Sequence, residues 1–252
     1  MIRRTIKLDD NSSAWLLIPQ PTHARIAYEL ACSWGCSPVT TPQFAEILLP
    51  TLLCHDDGWH DWERKPDVES RSGKPYSFTE MIPEDAQRIW EASIRACRKL
   101  GPLAQYLVAS HFIFLCGRGD SAATSGAIQF SREYGRRADD WLAAWQKESP
   151  ATNTTEAAHT VLSYLQMFDF LSLWFCCTEQ NEPYQCKTPD GCRLEFKRTP
   201  EGHIHVQPWP WHVSQVNLRL TARLVPARRY QDGNELAGVE SHERNLTWIM
   251  VK

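Results

Sequence analysis

The chain has no apolar run approaching the eighteen or so residues a membrane helix needs, and its start, MIRRTIKLDDNSSAW, lacks the apolar core of a secretory signal. A soluble cytoplasmic protein is the expectation. It also lacks any block of like charge: 27 basic and 30 acidic residues give a formal net charge of -3, spread along its length. That argues against a nucleic acid polymer or an anionic membrane as the main partner. There is no internal repeat, no low-complexity segment and no nucleophile elbow or cysteine–histidine context of the kind serine and cysteine hydrolases use. A disulfide framework is missing too, because nine cysteines is an odd number in a 252-residue chain. Cys32, Cys54, Cys97, Cys116 and Cys176 stand in helix-like apolar stretches and read as small buried hydrophobes. Two alternatives stay open: a structural zinc on the spacing of Cys32 and Cys36, and a disulfide across the turn between Cys186 and Cys192.

What is present divides into a helical body and a strand-rich end. Residues 2 to 8 and 15 to 18 read as strands around a DDNSS turn. Thr22 is placed to cap a helix reaching Trp34, and Phe44 to Asp57 is an apolar segment interrupted by Pro50. Residues 64 to 83 hold three prolines and a glycine and read as a long loop. Helical periodicity returns over 84–99, 102–116, 122–147 and 155–178, with breaks at GP, GRGD and SPATN. After residue 180 the period becomes two. In QVNLRLTARL, Val216, Leu218, Leu220, Ala222 and Leu224 alternate with polar residues, and CRLEFKR, HIHVQ and LTWIMV are further strand candidates. The expected architecture is one unit over 1–252. It is mainly α, with a helical body (21–180) and a smaller antiparallel β region formed by the C-terminal segment (181–252) together with the N-terminal hairpin (1–20).

The densest chemistry lies in LLCHDDGWHDWE, residues 52 to 63, with two histidines, three aspartates and a glutamate at the end of an apolar segment. Carboxylates at a helix C-terminus are disfavoured by the negative end of the helix dipole, unless a cation joins them. His23 shares a helix face with Ile26, Ala27 and Leu30, and His111 is surrounded at helical spacing by Leu107, Val108, Phe114 and Leu115. Asp169 lies on the apolar stripe of Ala158, Val161, Leu162, Leu165, Phe168 and Leu173. An inward histidine by itself is most often a hydrogen-bonded core residue, and a buried aspartate can be satisfied by backbone donors. Several such residues on successive helices point instead to one shared cation. Nitrogen and carboxylate donors without thiolate suit Mn, Fe, Zn, Co, Ni or Mg.

The order H…HD…D on successive helices resembles the HD-domain superfamily of metal-dependent phosphohydrolases. More closely, QPTHARIAYELACSWG, HDDGWHDWE, GKPYSF, ASHFIFL and DFLSLWFC look like an uncharacterised bacterial family with the pattern Q-x-x-H-A, H-D-x-G-W, S-x-H and D-x-x-S-L. The resemblance covers most of the chain. It implies an HD-like helical bundle with His23, His55, Asp56 and Asp169 on one divalent metal ion, and His111 or His60 facing a second ion or the substrate. The loop 64–83 is not part of the minimal superfamily pattern, and the paired histidines of dinuclear relatives are not clearly present.

A divalent ion so held would activate water against a small phosphoester or nucleotide. Asp57 is the nearest spare carboxylate for proton transfer, or else orients a ligating histidine. Lys74, Arg71 and Arg118 follow ligand-bearing helices and are candidates to meet an anionic substrate. Trp59 is a candidate pocket wall or base-stacking surface. A non-catalytic metal-containing ligand sensor of the same architecture is the other functional class the residues allow.

Overall fold

The structure is a computed structural model and describes residues 1–118 and 124–252. Part of the GRGD break and the expected helix start at residue 122 lie outside the described residues. The N-terminal alternation folds as a hairpin, β1 (Ile2–Lys7) antiparallel to β2 (Ser13–Ile18). Helix α1 (Gln20–Ala31) begins after Pro19 with Pro21 in its first turn, not under a Thr22 cap, since the fixed proline φ already suits a helix start. Then come α2 (Ala45–Cys54), with Pro50 inside it, and the short α3 (Trp59–Arg64). Helices α4 (Pro83–Ala96), α5 (Pro102–Cys116), α6 (Ser125–Glu148) and α7 (Thr155–Cys177) complete the helical layer. The remainder is β3 (Tyr184–Lys187), β4 (Arg193–Arg198), β5 (Ile204–Gln207), β6 (Gln215–Pro226), α8 (Gly233–Gly238) and β7 (His242–Val251).

The expectation of a mainly α protein with a small antiparallel appendage is overturned. Helix accounts for 47% and strand for 21% of the described residues, and the strands form a seven-stranded mixed sheet curled into a half-barrel. Its order is β1-β2-β6-β7-β5-β4-β3, so the hairpin from one end of the chain is continuous with the strands of the other. The seam is β2 against β6, with Ala14 opposite Pro226 and Leu17 opposite Arg223. The β5–β7 pair is parallel, which removes the purely antiparallel reading. The physical reason is long range: β2 and β6 are each adequate strands locally, and their pairing joins segments some 200 residues apart by burial. In β6 the alternation holds through Val216, Leu218, Leu220 and Ala222, then shifts so that Val225 is buried while Leu224 is only partly so. Val225 joins Trp15, Leu17, Tyr230 and Leu236 in a second cluster on the opposite face, covered by α8.

The main apolar cluster is shared by the helices and the sheet. Helix α7 is 23 residues long and, contrary to expectation, apolar enough by composition to cross a membrane, but 56% of its most apolar window is buried inside the protein. It is a core helix packed on α1, α2 and α5. The WPWH segment packs inward, with Trp211 bridging to Trp34 and its indole donating to the Leu30 carbonyl at 2.7 Å. All nine cysteines carry free thiols, including Cys186 and Cys192, and Cys32 is exposed, not buried. The residue groups able to hold a metal do not include Cys32 or Cys36 among the described residues.

One turn fixes where the H-D-D-G-W segment points. His55 caps α2, and the amides of Asp57 and Trp59 bond back to the carbonyls of Cys54 and Asp56. Gly58 then presses on α4: its amide donates to Ser93 Oγ at 3.0 Å, and a Cβ there would lie 2.1 Å from the Ile89 carbonyl oxygen and 2.6 Å from the Ser93 amide. No side chain fits without moving backbone. Gly58→Ala is therefore expected to cost about 1 to 3 kcal/mol of stability by overpacking, read from urea unfolding; a variant as stable as wild type would show that the turn is not pinned by α4.

Candidate metal centre

Five ionisable side chains from four helical segments meet in the interior. His23 comes from the buried face of α1, His55 and Asp56 from the turn after α2, His111 from α5 and Asp169 from α7. Each is at most 5% exposed. Helix α5 is apolar on nearly all sides, which forces His111 inside with its neighbours. Asp169 follows from the α7 stripe in the same way.

The hydrogen bonds decide which ring nitrogens are free. Ser172 Oγ donates its one proton to the Asp169 carbonyl at 2.7 Å, so at 2.8 Å it accepts from His23 Nδ1. His55 Nδ1 donates to the Leu52 carbonyl at 2.7 Å. In both neutral rings the proton is therefore on Nδ1, and the lone pair of Nε2 faces carboxylate oxygen. His23 Nε2 lies 2.7 Å from Asp56 Oδ2 and 3.6 Å from Asp169 Oδ1; His55 Nε2 lies 3.2 Å from Asp169 Oδ1 and 3.6 Å from Asp56 Oδ2. Two acceptors at such distances repel unless a proton or a metal ion stands between them. Donors about 2.0 to 2.2 Å from a tetrahedral or octahedral ion are separated by roughly 3 to 3.5 Å, and the separations here, 2.7 to 3.6 Å, bracket that range. The buried His and Asp groups can hold a metal ion.

His111 adds a second overlapping group with His55 and Asp169, its Nε2 lying 3.5 Å from Asp169 Oδ2. Its Nδ1 is buried without a hydrogen-bond partner among the described residues. Burial pushes its pKa below the usual histidine value despite the neighbouring Asp169 charge. His55 behaves oppositely: burial opposes its charged form most, yet the Asp56 carboxylate and the Asp169 hydrogen bond outweigh it, and the ring is pushed up from 6.5 to about 10. For Asp56 burial again opposes charge, but His55 and the His23 hydrogen bond hold the carboxyl well below its ordinary range, and Asp169 is lowered in the same way by His55 and His111.

A cavity of about 410 Å³ opens onto this cluster. His23, Asp56, His111 and Asp169 are among its lining residues, with Trp59, Phe78, Met81, Trp90, Phe112 and Leu115 as apolar wall and Arg118 also lining it. The structure thus brings His23, His55, Asp56, His111, Asp169, Trp59 and Arg118 to one place. It does not bring Asp57, His60, Lys74 or Arg71 there. His60 is exposed and its Nδ1 donates back to the Asp57 carbonyl at 2.8 Å. The Asp57 carboxylate is 3.8 Å from His60 and is not among the cavity-lining groups. Arg71 and Lys74 sit in an exposed turn closed by Glu69, whose carboxylate accepts from the Arg71 amide at 2.9 Å. Of the loop 64–83, Phe78, Thr79, Met81 and Pro83 reach the cavity.

Ser172 was not among the expected site residues, although it is the serine of D-x-x-S-L. Its spacing of three from Asp169 on a helix places both on one face, and that was the available signal. Gln20, also a lining residue, is the glutamine of Q-x-x-H-A, whereas Trp90 and Phe112 carried no sequence signal that separates cavity wall from ordinary core.

The pKa directions give a test. In chelator-treated protein, His55 supplies stability that is fully present below its ordinary 6.5 and lost as pH rises through about 10. Asp56 supplies stability present above its ordinary 3.8 and lost on acidification. A metal ion ligated by His55 Nε2 would take the place of the His55 proton. The melting-temperature gain on adding zinc is therefore expected to be small near pH ~5.5 and to grow toward pH ~8.5. A gain independent of pH would count against ligation through His55.

No curated protein and no solved structure matches the chain. A family model described as "Protein of unknown function (DUF3891)" matches residues 5–227. That span takes in most of the hairpin, every helix of the metal cluster and β6, and the chain belongs to this family.

Proposed function

We propose that the protein is a divalent-metal-dependent phosphohydrolase acting in the cytoplasm on a small phosphorylated molecule. The observation that supports this most is the tautomer-fixed pair of histidines, His23 and His55, aimed at two buried carboxylates at the floor of a cavity. A divalent ion bound there would polarise a phosphoryl oxygen and lower the pKa of water. Ser172 and the Leu52 carbonyl hold the two rings in the orientation ligation needs, as outer hydrogen-bond partners commonly do. The apolar walls exclude bulk water and so strengthen every charge interaction inside. His111, neutral and with one ring nitrogen uncommitted, is the group placed to pass a proton to or from the ester.

A second reading, a metal-containing ligand sensor, is favoured by one observation: apart from Asp56 and Asp169 no carboxylate lines the cavity among the described residues, Asp57 standing outside it. The two readings part on activity. Purified protein is expected to carry or take up about one divalent ion and to hydrolyse some member of a phosphomonoester and nucleotide panel with added Mn. Asp56→Ala should then lose metal and at least ~100-fold in rate, as for loss of a direct ligand, and Ser172→Ala should bind metal roughly 10- to 100-fold more weakly. Metal uptake with no turnover on the whole panel supports the sensor; an Asp56→Ala variant that keeps its metal removes both readings.

A further inference from the structure

The cavity walls define what kind of molecule fits above the metal cluster. Trp59, Phe78, Met81, Trp90, Phe112 and Leu115 supply most of the surface, and Trp90 stacks on Phe112 with ring centroids 5.5 Å apart at 16°. At about 410 Å³ the space lies toward the small end of the range for ligand pockets, ~300–1,000 Å³. Besides the cluster and Arg118, the side-chain donors and acceptors in the wall are Gln20, Thr79, Gln87, Thr124, the indole N–H groups of Trp59 and Trp90, and the weak Cys116 thiol. Arg118 is the single Lys or Arg among the described lining residues. It follows α5 with its amide bonded to the Leu115 carbonyl at 3.1 Å and its guanidinium 4.9 Å from the Phe114 ring centre. It stands beyond the end of α5, seven residues after His111, and lines the same cavity as that histidine.

Resting on the reading of a phosphate-binding metal floor, we infer that the substrate is a phosphomonoester with an apolar, ring-sized body and one further anionic group at the far end, received by Arg118. Its phosphate reaches the His and Asp cluster, its body replaces water against the aromatic wall, and its distal acid meets the guanidinium. A nucleotide fits this arrangement poorly. Its sugar hydroxyls would face a wall with few partners, and a di- or triphosphate would bring several charges to one arginine.

Titration calorimetry on the full chain loaded with Mn tests the assignment with four probes: inorganic phosphate, benzylphosphonate, 4-(phosphonomethyl)benzoate and adenosine monophosphate. Benzylphosphonate should bind at least tenfold more tightly than inorganic phosphate and than adenosine monophosphate. The added carboxylate should tighten binding a further fivefold or so, and Arg118→Gln, a change at an exposed side chain, should remove that increment alone. Ala86→Phe, which fills the cavity from α4, should abolish the gain from the ring while leaving inorganic phosphate binding in place. A nucleotide that outbinds the benzyl probe, or a ring that adds nothing, overturns the inference. A fifth titration, 4-methylbenzoate into chelator-treated protein, keeps it separate from the metal reading. Binding there that weakens in Arg118→Gln supports the apolar-body and distal-anion assignment even if no metal is taken up, and its absence overturns that assignment even where metal binding and hydrolysis stand.

Discussion

Everything in the helical layer depends on burying two carboxylates against three imidazoles. Asp56 and Asp169 are nearly inaccessible, and taking an unpaired charge out of water costs far more than any single packing contact returns. The four segments that meet there, α1, the turn after α2, α5 and α7, must therefore arrive with their donors and lone pairs in register. The features that bring them are ordinary: prolines opening α1 and α5, a glycine pressed on α4, and a serine one turn along α7 from the aspartate. Each is local. Together they remove the freedom of the rings to turn away from the carboxylates, so the cluster is held in place before any cation arrives.

The curled sheet is the scaffold that makes this affordable. It buries the far sides of α1 and α7 through one large apolar cluster, leaving their opposite sides to carry polar groups inward. Its two-sided burial at β2, where Leu16 and Ile18 face the main cluster and Trp15 and Leu17 the second, ties the N-terminal hairpin to the C-terminal strands. The site thus sits within the helices, and the sheet packs on two of the helices that carry it, β6 on α1 and β1 on α7.

The legibility of the sequence followed the range of each interaction. His23, His111 and Asp169 could be read as inward because a helix repeats every 3.6 residues, so apolar neighbours declare the face. His55 and Asp56 could be read because acids at a helix end need an explanation. Asp57 and His60 could not be placed: beyond Cys54 the chain leaves the helix, and which side chains turn inward is set by the contact of Gly58 with α4, a tertiary fact. The sheet failed for a similar reason. Most of its strands were visible as alternation and the hairpin was expected to complete them, but the short β3 was not visible, and neither the register of the β2–β6 seam nor the parallel β5–β7 pair leaves a local trace. Ser172 was visible only as a letter in a pattern until its hydroxyl was seen to fix the His23 tautomer.

Charge bookkeeping explains why a divalent cation, and not protons alone, suits this centre. With both aspartates ionised and the histidines neutral, the cluster carries two negative charges in a low-dielectric interior. One proton on His55 leaves it at minus one. A single ion of charge two neutralises both carboxylates at once, uses lone pairs that protons would have to share, and needs no second positive site. Protons can stabilise the fold in part. The tautomers and the spacing of the donors together suit a metal ion.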